Sequence, residues 1–302
     1  MITPKFLHKG SKVAFLAPSG PLPEGRLDAA VAAVESYGLK PVVYDSCRMT
    51  HGYLAGDDKQ RAADVNAAYA DPTIEGVLCA RGGYGAQRLY KLIDWKTVFA
   101  NPKPLFGYSD ITFFHLILNC YADTVSYHTP MPSTEWYKGL DEYTDKSLRL
   151  ALFGGDWGEL SNCDKEKRKT VVGGKAEGKL VGGNLSLVSS AVGTPFAPIA
   201  EDSILFLEDI GEAPYRLDGM LNHMVQAGTF DGCRGIILGY YTDCKGKDNT
   251  LTVQQVFEEI LAPLNIPILS GVTCGHDLPT LSLPLGMNCA LDADKKTITI
   301  LQ

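Results

Sequence analysis

Three short segments carry a serine, an acid and a histidine in an order that suits nucleophilic catalysis. They are Gly107-Tyr108-Ser109-Asp110, Leu207-Glu208-Asp209 and Gly275-His276-Asp277. Each segment follows a short apolar run that predicts a buried strand, and α/β proteins place reactive side chains where such strands end. A serine hydroxyl attacks a carbonyl when a histidine takes its proton and an acid orients that histidine. The pattern therefore predicts a hydrolase site divided along the chain.

Ser109 lies in a turn that resembles the nucleophile elbow of Gly-x-Ser-x-Gly hydrolases. An apolar strand ends at Gly107, a helix is predicted within three residues, and Ile111 takes the place of the second glycine. An elbow would project the Ser109 hydroxyl off the sheet. It would also set the backbone N–H of Asp110 at a helix N-terminus, where partial positive charge stabilises an oxyanion. The alternative is that Ser109 only caps the helix.

A glycine-rich turn follows the strand predicted at residues 75–80. It reads Arg81-Gly82-Gly83-Tyr84-Gly85. Glycine lets a backbone N–H approach a ligand closely, so Gly82 or Gly83 is the candidate for a second oxyanion donor. The turn lacks the last glycine of a dinucleotide fingerprint and the Gly-Lys-Ser/Thr ending of a P-loop. The alternative is a plain strand-to-helix turn.

Two adjacent acids, Glu208 and Asp209, end another apolar run. Alternation along a strand sends their side chains to opposite faces, so only one of them can orient a histidine. We predict Glu208 for this role and His276 as the general base, because the imidazole pKa lies near neutrality. The alternatives are a helix-capping acid and a structural loop histidine. The remaining histidines form no ligand pair of metal-site spacing, so we expect no metal and no cofactor; they are His8, His51, His115, His128 and His223.

Composition narrows the partners and the location. The chain has 302 residues, 45% of them hydrophobic, which favours a globular protein of two domains. Its net charge of −7 and the absence of a basic run argue against a nucleic-acid partner. No apolar stretch approaches the roughly 20 residues of a membrane span, and residues 1–10 are not followed by an apolar run of signal-peptide length. The eight cysteines form no CxxC pair, which is typical of buried free thiols in a reducing compartment, so we expect a cytoplasmic protein.

Strand and helix signals alternate in both halves of the chain. In the first half strands are predicted at 13–17, 41–44, 75–80, 103–107 and 123–127, with helices at 26–37, 57–69, 85–93 and 112–121. In the second half strands are predicted at 178–182, 203–207, 235–240 and 267–272, helices at 185–192, 215–227 and 253–261, and a hairpin at 288–301. Such alternation predicts parallel sheets with right-handed crossovers, an α/β fold.

The pattern is interrupted between residues 154 and 175. A mixed-charge run at 164–169 is followed by Gly173 and Gly174, which indicates a linker or surface loop. We therefore divide the chain into an N-terminal α/β domain at 1–155, a linker or loop at 156–175, and a C-terminal domain at 176–302. The alternative is a hairpin within one domain.

Taken together, the motifs resemble those of the LD-carboxypeptidase family of serine peptidases, which includes murein tetrapeptide carboxypeptidases and microcin C self-immunity peptidases. The matching stretches span nearly the whole chain: Ala17-Pro18-Ser19, residues 80–85, residues 107–112, Gly182-Gly183-Asn184-Leu185, residues 205–209 and Gly275-His276. The resemblance implies a Ser109–Glu208–His276 triad. It implies an N-terminal Rossmann-like parallel-sheet domain carrying the serine, and a C-terminal α/β domain of the LD-carboxypeptidase type carrying the other two residues.

The same resemblance implies a homodimer and a muropeptide substrate whose terminal D-alanine is removed. We predict Arg81, Tyr84 and Asn184 as substrate-binding residues, with Arg81 the candidate for the terminal carboxylate. Two positions depart from the family pattern: Gly219 replaces a common arginine, and Thr129 replaces the glycine of a His-Gly-Pro motif.

Two other functions fit the residues. One is an immunity-type peptidase or amidase that acts on acyl-linked nucleotide antibiotics. The other is a non-catalytic two-domain binder of peptides or sugars, in which the serine, acid and histidine need not converge.

Overall fold

The computed structural model describes residues 1–163, 168–247 and 250–301. Most of the mixed-charge run, residues 164–167, lies outside the described residues. The first half alternates strands and helices. Its elements are β1 (Lys12–Leu16), α1 (Arg26–Ser36), β2 (Lys40–Val43), α2 (Asp58–Ala70), β3 (Gly76–Cys79), α3 (Trp95–Ala100), β4 (Leu105–Gly107), α4 (Thr112–Tyr121), β5 (Ser126–His128) and α5 (Glu142–Phe153), with 3-10 turns at Asp45–Arg48, Ala86–Leu89, Ser109–Ile111 and Trp136–Lys138.

The second half repeats this alternation and closes with a hairpin. Its elements are β6 (Lys169–Val172), β7 (Lys175–Asn184), α6 (Leu185–Ala191), β8 (Ser203–Ile210), α7 (Pro214–Gln226), β9 (Gly235–Thr242), α8 (Val253–Val256), β10 (Ile268–Ser270), β11 (Leu283–Leu285), β12 (Asn288–Asp292) and β13 (Thr297–Leu301). Helix α8 continues as a π-helical segment, Phe257–Leu261, and a 3-10 turn, Ala262–Leu264.

The first sheet has the strand order β11-β5-β4-β3-β1-β2. Strands β1 to β5 are parallel, and β11 pairs antiparallel with β5. The direction of the connections reverses between β1 and β3, and open parallel sheets bind ligands outside the carboxyl ends of their strands at such a reversal. Strands β3 and β4 are buried along their whole length, as strands covered on both faces are.

The second sheet has the order β13-β12-β7-β8-β9-β10-β6. Its central strands β7 to β10 are parallel, while β12 and β13 flank one side and β6 the other in antiparallel pairing. The predicted fold class, two α/β parts built on parallel strands, is confirmed.

Helix α4 joins the two halves. It is buried from Thr112 to Asn119 and apolar on most sides, as internal helices are. It packs against β5 of the first sheet and against β7 and α6 of the second half. At its start the Asn184 N–H donates to Thr112 Oγ1 at 3.0 Å, and near its end Asn119 Nδ2 donates to the Leu285 carbonyl at 3.1 Å. The apolar core therefore continues from one half into the other.

Several stretches differ from the prediction. The helix predicted at 85–93 is only the 3-10 turn Ala86–Leu89, because Gly85 has a φ of 120° and remote side chains hold its carbonyl and the next N–H. The patterns predict neither α5 nor β11. Strand β11 contains Pro284, which an edge strand tolerates and a sequence pattern counts against a strand.

The boundary between the halves is less simple than a single linker. Strand β6 occupies residues 169–172 of the segment predicted as a linker or surface loop. Strand β11, from the predicted C-terminal domain, completes the first sheet. The division at 155 and 176 stays a prediction. In the part of the chain that the structure describes, no helix has both the length and the apolar character that crossing a bilayer requires.

We expect Gly183→Ala to destabilise the join between α4 and β7. A Cβ there would lie 2.5 Å from Thr112 Oγ1 and 2.9 Å from its Cγ2, so no staggered rotamer of the threonine relieves both contacts, and φ is +140°. Overpacking and backbone strain together should lower the free energy of unfolding by about 2–4 kcal/mol, measured by urea denaturation.

Gly193→Ala is the matched control for this prediction. Gly193 also has a positive φ, +81°, but nothing lies within 4 Å of an added Cβ. Its substitution should cost only about 1–2 kcal/mol of backbone strain. Equal losses in the two variants would show that the Gly183–Thr112 contact carries no packing constraint.

Candidate active site

Ser109 sits in a strained turn at the carboxyl end of β4. Its φ is +63°, a left-handed conformation that is uncommon outside glycine and that often marks functional positions. Tyr108 before it is extended, and the turn Ser109–Ile111 leads directly into α4. Neither this turn nor α4 has a side-chain cap hydrogen bond, so Ser109 does not serve as a helix cap. The Ser109 side chain is only partly buried and its hydroxyl can meet a ligand.

Gly82 lies directly over Ser109. A Cβ on Gly82 would come within 3.0 Å of Ser109 Oγ and 3.3 Å of the Asp110 backbone nitrogen. The missing side chain therefore leaves open the space beside the hydroxyl and the N–H that an oxyanion would need. Gly83 is exposed and has a φ of +114°. Which of the two glycines donates the second N–H stays a prediction.

A buried arginine and a buried aspartate hold the glycine turn in place. Asp110 Oδ2 accepts the Ala86 N–H at 2.8 Å. Arg61 Nη1 donates to the Pro18 carbonyl and, at 2.9 Å, to the Gly85 carbonyl, and Arg61 is fully buried. These bonds tie the loops after β1, β3 and β4 together. The sequence patterns predict neither role, because the partners are remote along the chain.

Glu208 and His276 form the central pair of the site. Glu208 lies near the carboxyl end of β8 and is 0% exposed, and His276 follows β10 with a side chain 9% exposed. His276 Nδ1 and Glu208 Oε2 are 2.6 Å apart. Because Glu208 accepts the Nδ1–H, Nε2 is the ring nitrogen available to exchange a proton with a hydroxyl.

The charges of this pair support each other. Burial by itself raises the pKa of Glu208, but the His276 and His128 rings outweigh it and the pKa is lowered. Burial likewise lowers the pKa of His276, yet the charge and hydrogen bond of Glu208 raise it above its ordinary value. The site thus favours an ionised acid beside a histidine ready to become an imidazolium. His128 Nε2 lies 3.8 Å from Glu208 Oε1, beyond ordinary hydrogen-bond length.

Asp209 points away from the histidine, as strand alternation predicts. Its Oδ1 accepts from Asn184 Nδ2 at 3.0 Å, and its Oδ2 accepts the Ser186 N–H at 2.9 Å. Asn184 is 3% exposed and caps α6 through its Oδ1 and the Leu187 N–H. Its polar atoms are thus engaged inside the protein, and its role as a substrate contact stays a prediction.

Arg81 and Tyr84 flank the glycine turn. Arg81 is half-buried, and its Nη1 donates to the Pro21 carbonyl at 2.8 Å. Tyr84 is 45% exposed, with its ring 5.7 Å from that of Tyr53. Both side chains are placed near the turn that faces Ser109, and their contact with substrate stays a prediction.

Tyr108 and Glu135 adjoin the site although no sequence motif singles them out for a role. The Tyr108 ring lies 4.6 Å from the His276 ring, which brings the histidine beside the residue that precedes Ser109. In the described ranges no hydrogen bond joins Ser109 Oγ to His276, and catalytic bonds of ligand-free enzymes often tighten only with substrate. Within the same ranges, no group of three or more His, Cys, Asp or Glu side chains is arranged to hold a metal ion.

A strained serine turn and a buried acid–histidine pair, supplied by two α/β halves, form the arrangement expected of a divided serine-hydrolase site. Family models of the LD-carboxypeptidase N-terminal domain and of the LD-carboxypeptidase C-terminal domain match residues 13–129 and 177–291. The chain belongs to the LD-carboxypeptidase family, as the motifs predict, and is a hydrolase of the serine-peptidase type.

Individual relatives agree with this assignment. A probable murein peptide carboxypeptidase of Bacillus subtilis is 37% identical, over 98% of this chain and 93% of its own. A murein tetrapeptide carboxypeptidase of Pseudomonas aeruginosa is 30% identical, over 94% of each chain. The solved structure of a microcin C7 self-immunity protein in an inactive-mutant apo state superposes with a TM-score of 0.91 at 25% identity, covering 100% of this chain and 99% of its own.

We expect the His276 imidazole to titrate above its ordinary value of 6.5 because Glu208 stabilises its charged form. In Glu208→Gln the strongest interaction that favours the imidazolium is lost while burial still opposes it, so the midpoint should fall. NMR titration of the ring measures both midpoints without any substrate. Glu258→Gln, on the exposed surface, is the control and should leave the midpoint unchanged. A midpoint that Glu208→Gln does not move would contradict the electrostatic coupling of the pair.

Proposed function

We propose that this protein is a carboxypeptidase that cuts the bond between the L-centre of a diamino acid and the terminal D-alanine of murein tetrapeptides. The observation that carries the proposal is the buried Glu208–His276 pair packed beside the strained Ser109 turn. The names of the B. subtilis and P. aeruginosa relatives support the substrate class.

The proposed reaction is acyl transfer to a serine and then to water. His276 Nε2 takes the Ser109 proton while Ser109 Oγ attacks the carbonyl carbon before the terminal residue. The Asp110 N–H and the N–H of Gly82 or Gly83 stabilise the oxyanion. His276 then protonates the departing amine, the C–N bond breaks, and D-alanine leaves. Water, deprotonated by His276, hydrolyses the acyl-enzyme and restores the serine.

A second candidate is an immunity-type peptidase acting on acyl-linked nucleotide antibiotics. The close superposition with the microcin C7 self-immunity protein favours it, because that likeness covers the whole chain. The two candidates share the nucleophile and differ in what occupies the cleft beyond it. Substrate tests therefore distinguish them.

We also propose a cytoplasmic homodimer. All eight cysteines are free thiols, which supports a reducing compartment. The dimer is supported by family resemblance. Sedimentation of the purified protein would report its mass in solution directly.

Ser109→Ala should abolish turnover while leaving the fold intact, because the variant loses the only atom that forms the acyl bond. We expect mass spectrometry to show loss of one alanine from a murein tetrapeptide with wild type and a rate at least on the order of 10⁴-fold lower with Ser109→Ala. Ser190→Ala, an exposed serine of α6, is the matched control and should cleave normally. Cleavage by Ser109→Ala at the wild-type rate would exclude Ser109 as nucleophile. An intact tetrapeptide with folded wild type would favour the antibiotic-type substrates.

Arg81→Ala should weaken recognition of the terminal carboxylate. Loss of a charge-assisted hydrogen bond predicts a KM higher by roughly 10–100-fold for a tetrapeptide with a free carboxylate. A tetrapeptide ending in D-alanine amide should be a poor substrate for wild type, and Arg81→Ala should discriminate little between acid and amide. An unchanged preference for the acid in the variant would assign carboxylate recognition to another residue.

A further inference from the structure

A second, partly buried carboxylate lies at the site and the proposed reaction does not use it. Glu135 follows β5 and precedes the 3-10 turn Trp136–Lys138. Its Oε1 accepts from the Tyr108 hydroxyl at 2.9 Å and its Oε2 accepts the Met131 N–H at 2.7 Å. Both carboxylate oxygens are therefore held, one by the backbone and one by a tyrosine of the site.

Shielding this acid from much of the solvent has a cost. Burial raises the pKa of Glu135, while the Met131 N–H, the Tyr108 hydroxyl and the nearby His276 favour its charged form. An apolar residue would fill the same space without that cost, so the carboxylate calls for a reason beyond packing.

Tyr108 connects this acid to both the proposed nucleophile and the proposed general base. It directly precedes Ser109 in the chain and is 4% exposed. Its ring lies 4.6 Å from the His276 ring and 5.5 Å from the His128 ring. The hydrogen bond from Tyr108 to Glu135 thus restrains the tyrosine side chain. That residue is joined to Ser109 by the backbone, and its ring packs against His276.

We propose that Glu135 is a positioning residue. Through Tyr108 it fixes the position of the Ser109 turn relative to the His276 ring, and its charge lies near the imidazolium that forms in the reaction. The inference rests on the proposed function. It predicts effects on the rate of acyl transfer rather than on substrate affinity, because neither Glu135 nor Tyr108 has to touch the substrate.

Three carboxylates favour the charged form of His276. Glu208 and Asp209 come from β8 and Glu135 from the segment after β5; Glu208 contacts the ring, whereas Asp209 is turned away and acts at a distance. His128, from β5, lies beside Glu208. Glu208 contributes most to the raised pKa of His276, and Asp209 and Glu135 add to it. Removing the charge of Glu135 alone therefore lowers the pKa of His276 and extends the active, neutral form to lower pH.

The test measures kcat, KM and the pH dependence of kcat/KM on the murein tetrapeptide for Tyr108→Phe, Glu135→Gln and the double variant. Tyr108→Phe should lower kcat roughly 10-fold with little change in KM, because the loosened ring misplaces the reacting atoms. Glu135→Gln keeps an amide oxygen that can accept from Tyr108, so kcat should fall less. The acidic limb of the kcat/KM profile of Glu135→Gln should move to lower pH. The double variant should lose little more than Tyr108→Phe, since the two residues act as a unit.

Tyr143→Phe is the matched control. It also removes a tyrosine hydroxyl that donates to a partner, the Ser161 carbonyl at 2.6 Å, but it lies on α5 outside this cluster. It should leave kcat and the pH profile unchanged. If Glu135 had a merely structural role, Glu135→Gln would lower the melting temperature without moving the acidic limb of the kcat/KM profile.

Two substrate-independent readouts separate failure of this inference from failure of the proposed function. They are the rate at which a fluorophosphonate labels Ser109 and the NMR titration of His276. If the kinetics and the His276 titration of both Tyr108→Phe and Glu135→Gln equal those of wild type, the positioning role is overturned and the proposed function is unaffected. A wild type that is labelled at Ser109 but leaves the tetrapeptide intact would overturn the substrate. Slower labelling of Tyr108→Phe would still support the positioning role, and if Glu135→Gln does not fold, Tyr108→Phe decides the question.

Discussion

The buried contact between Glu208 and His276 is the interaction on which the rest of the structure depends. A carboxylate at 0% exposure is unstable unless a partner compensates the lost hydration, which costs several kcal/mol for each ion. Here one ring nitrogen supplies that compensation at 2.6 Å. Satisfying the pair requires the end of β8 and the loop after β10 to meet, and the parallel pairing of β8, β9 and β10 brings them to the same edge of the sheet.

The nucleophile depends on a different constraint, the packing of one half on the other. Ser109 keeps its left-handed conformation between a strand and helix α4, and that helix is buried against β7. Gly183 allows this close approach, while Arg61 and Asp110 restrain the glycine turn over the hydroxyl. The first sheet thus holds Ser109, the second holds Glu208 and His276, and the shared core sets the distance between the two sheets.

Local patterns predict most of the regular elements well. Helix α4 is observed at the predicted residues 112–121, and α1 ends one residue short of its prediction, because apolar periodicity and flanking turn residues are local signals. The prediction fails where distant partners override those signals. The predicted helix after Gly85 is shortened because Arg61 and Asp110 capture its first backbone groups, and β11 exists only because β5 offers it an edge.

The order of residues along the chain is enough to identify the family, the α/β class and the three candidate reactive residues, because each stands at a strand end within a short local motif. Alternation along a strand also separates Glu208 from Asp209 before any coordinates are known. Three-dimensional packing alone brings Glu208 into contact with His276, joins Glu135 to Tyr108 across 27 residues, and commits Asn184 to the interior. Such contacts depend on how strands and loops distant in sequence come together, and no local pattern encodes those distances.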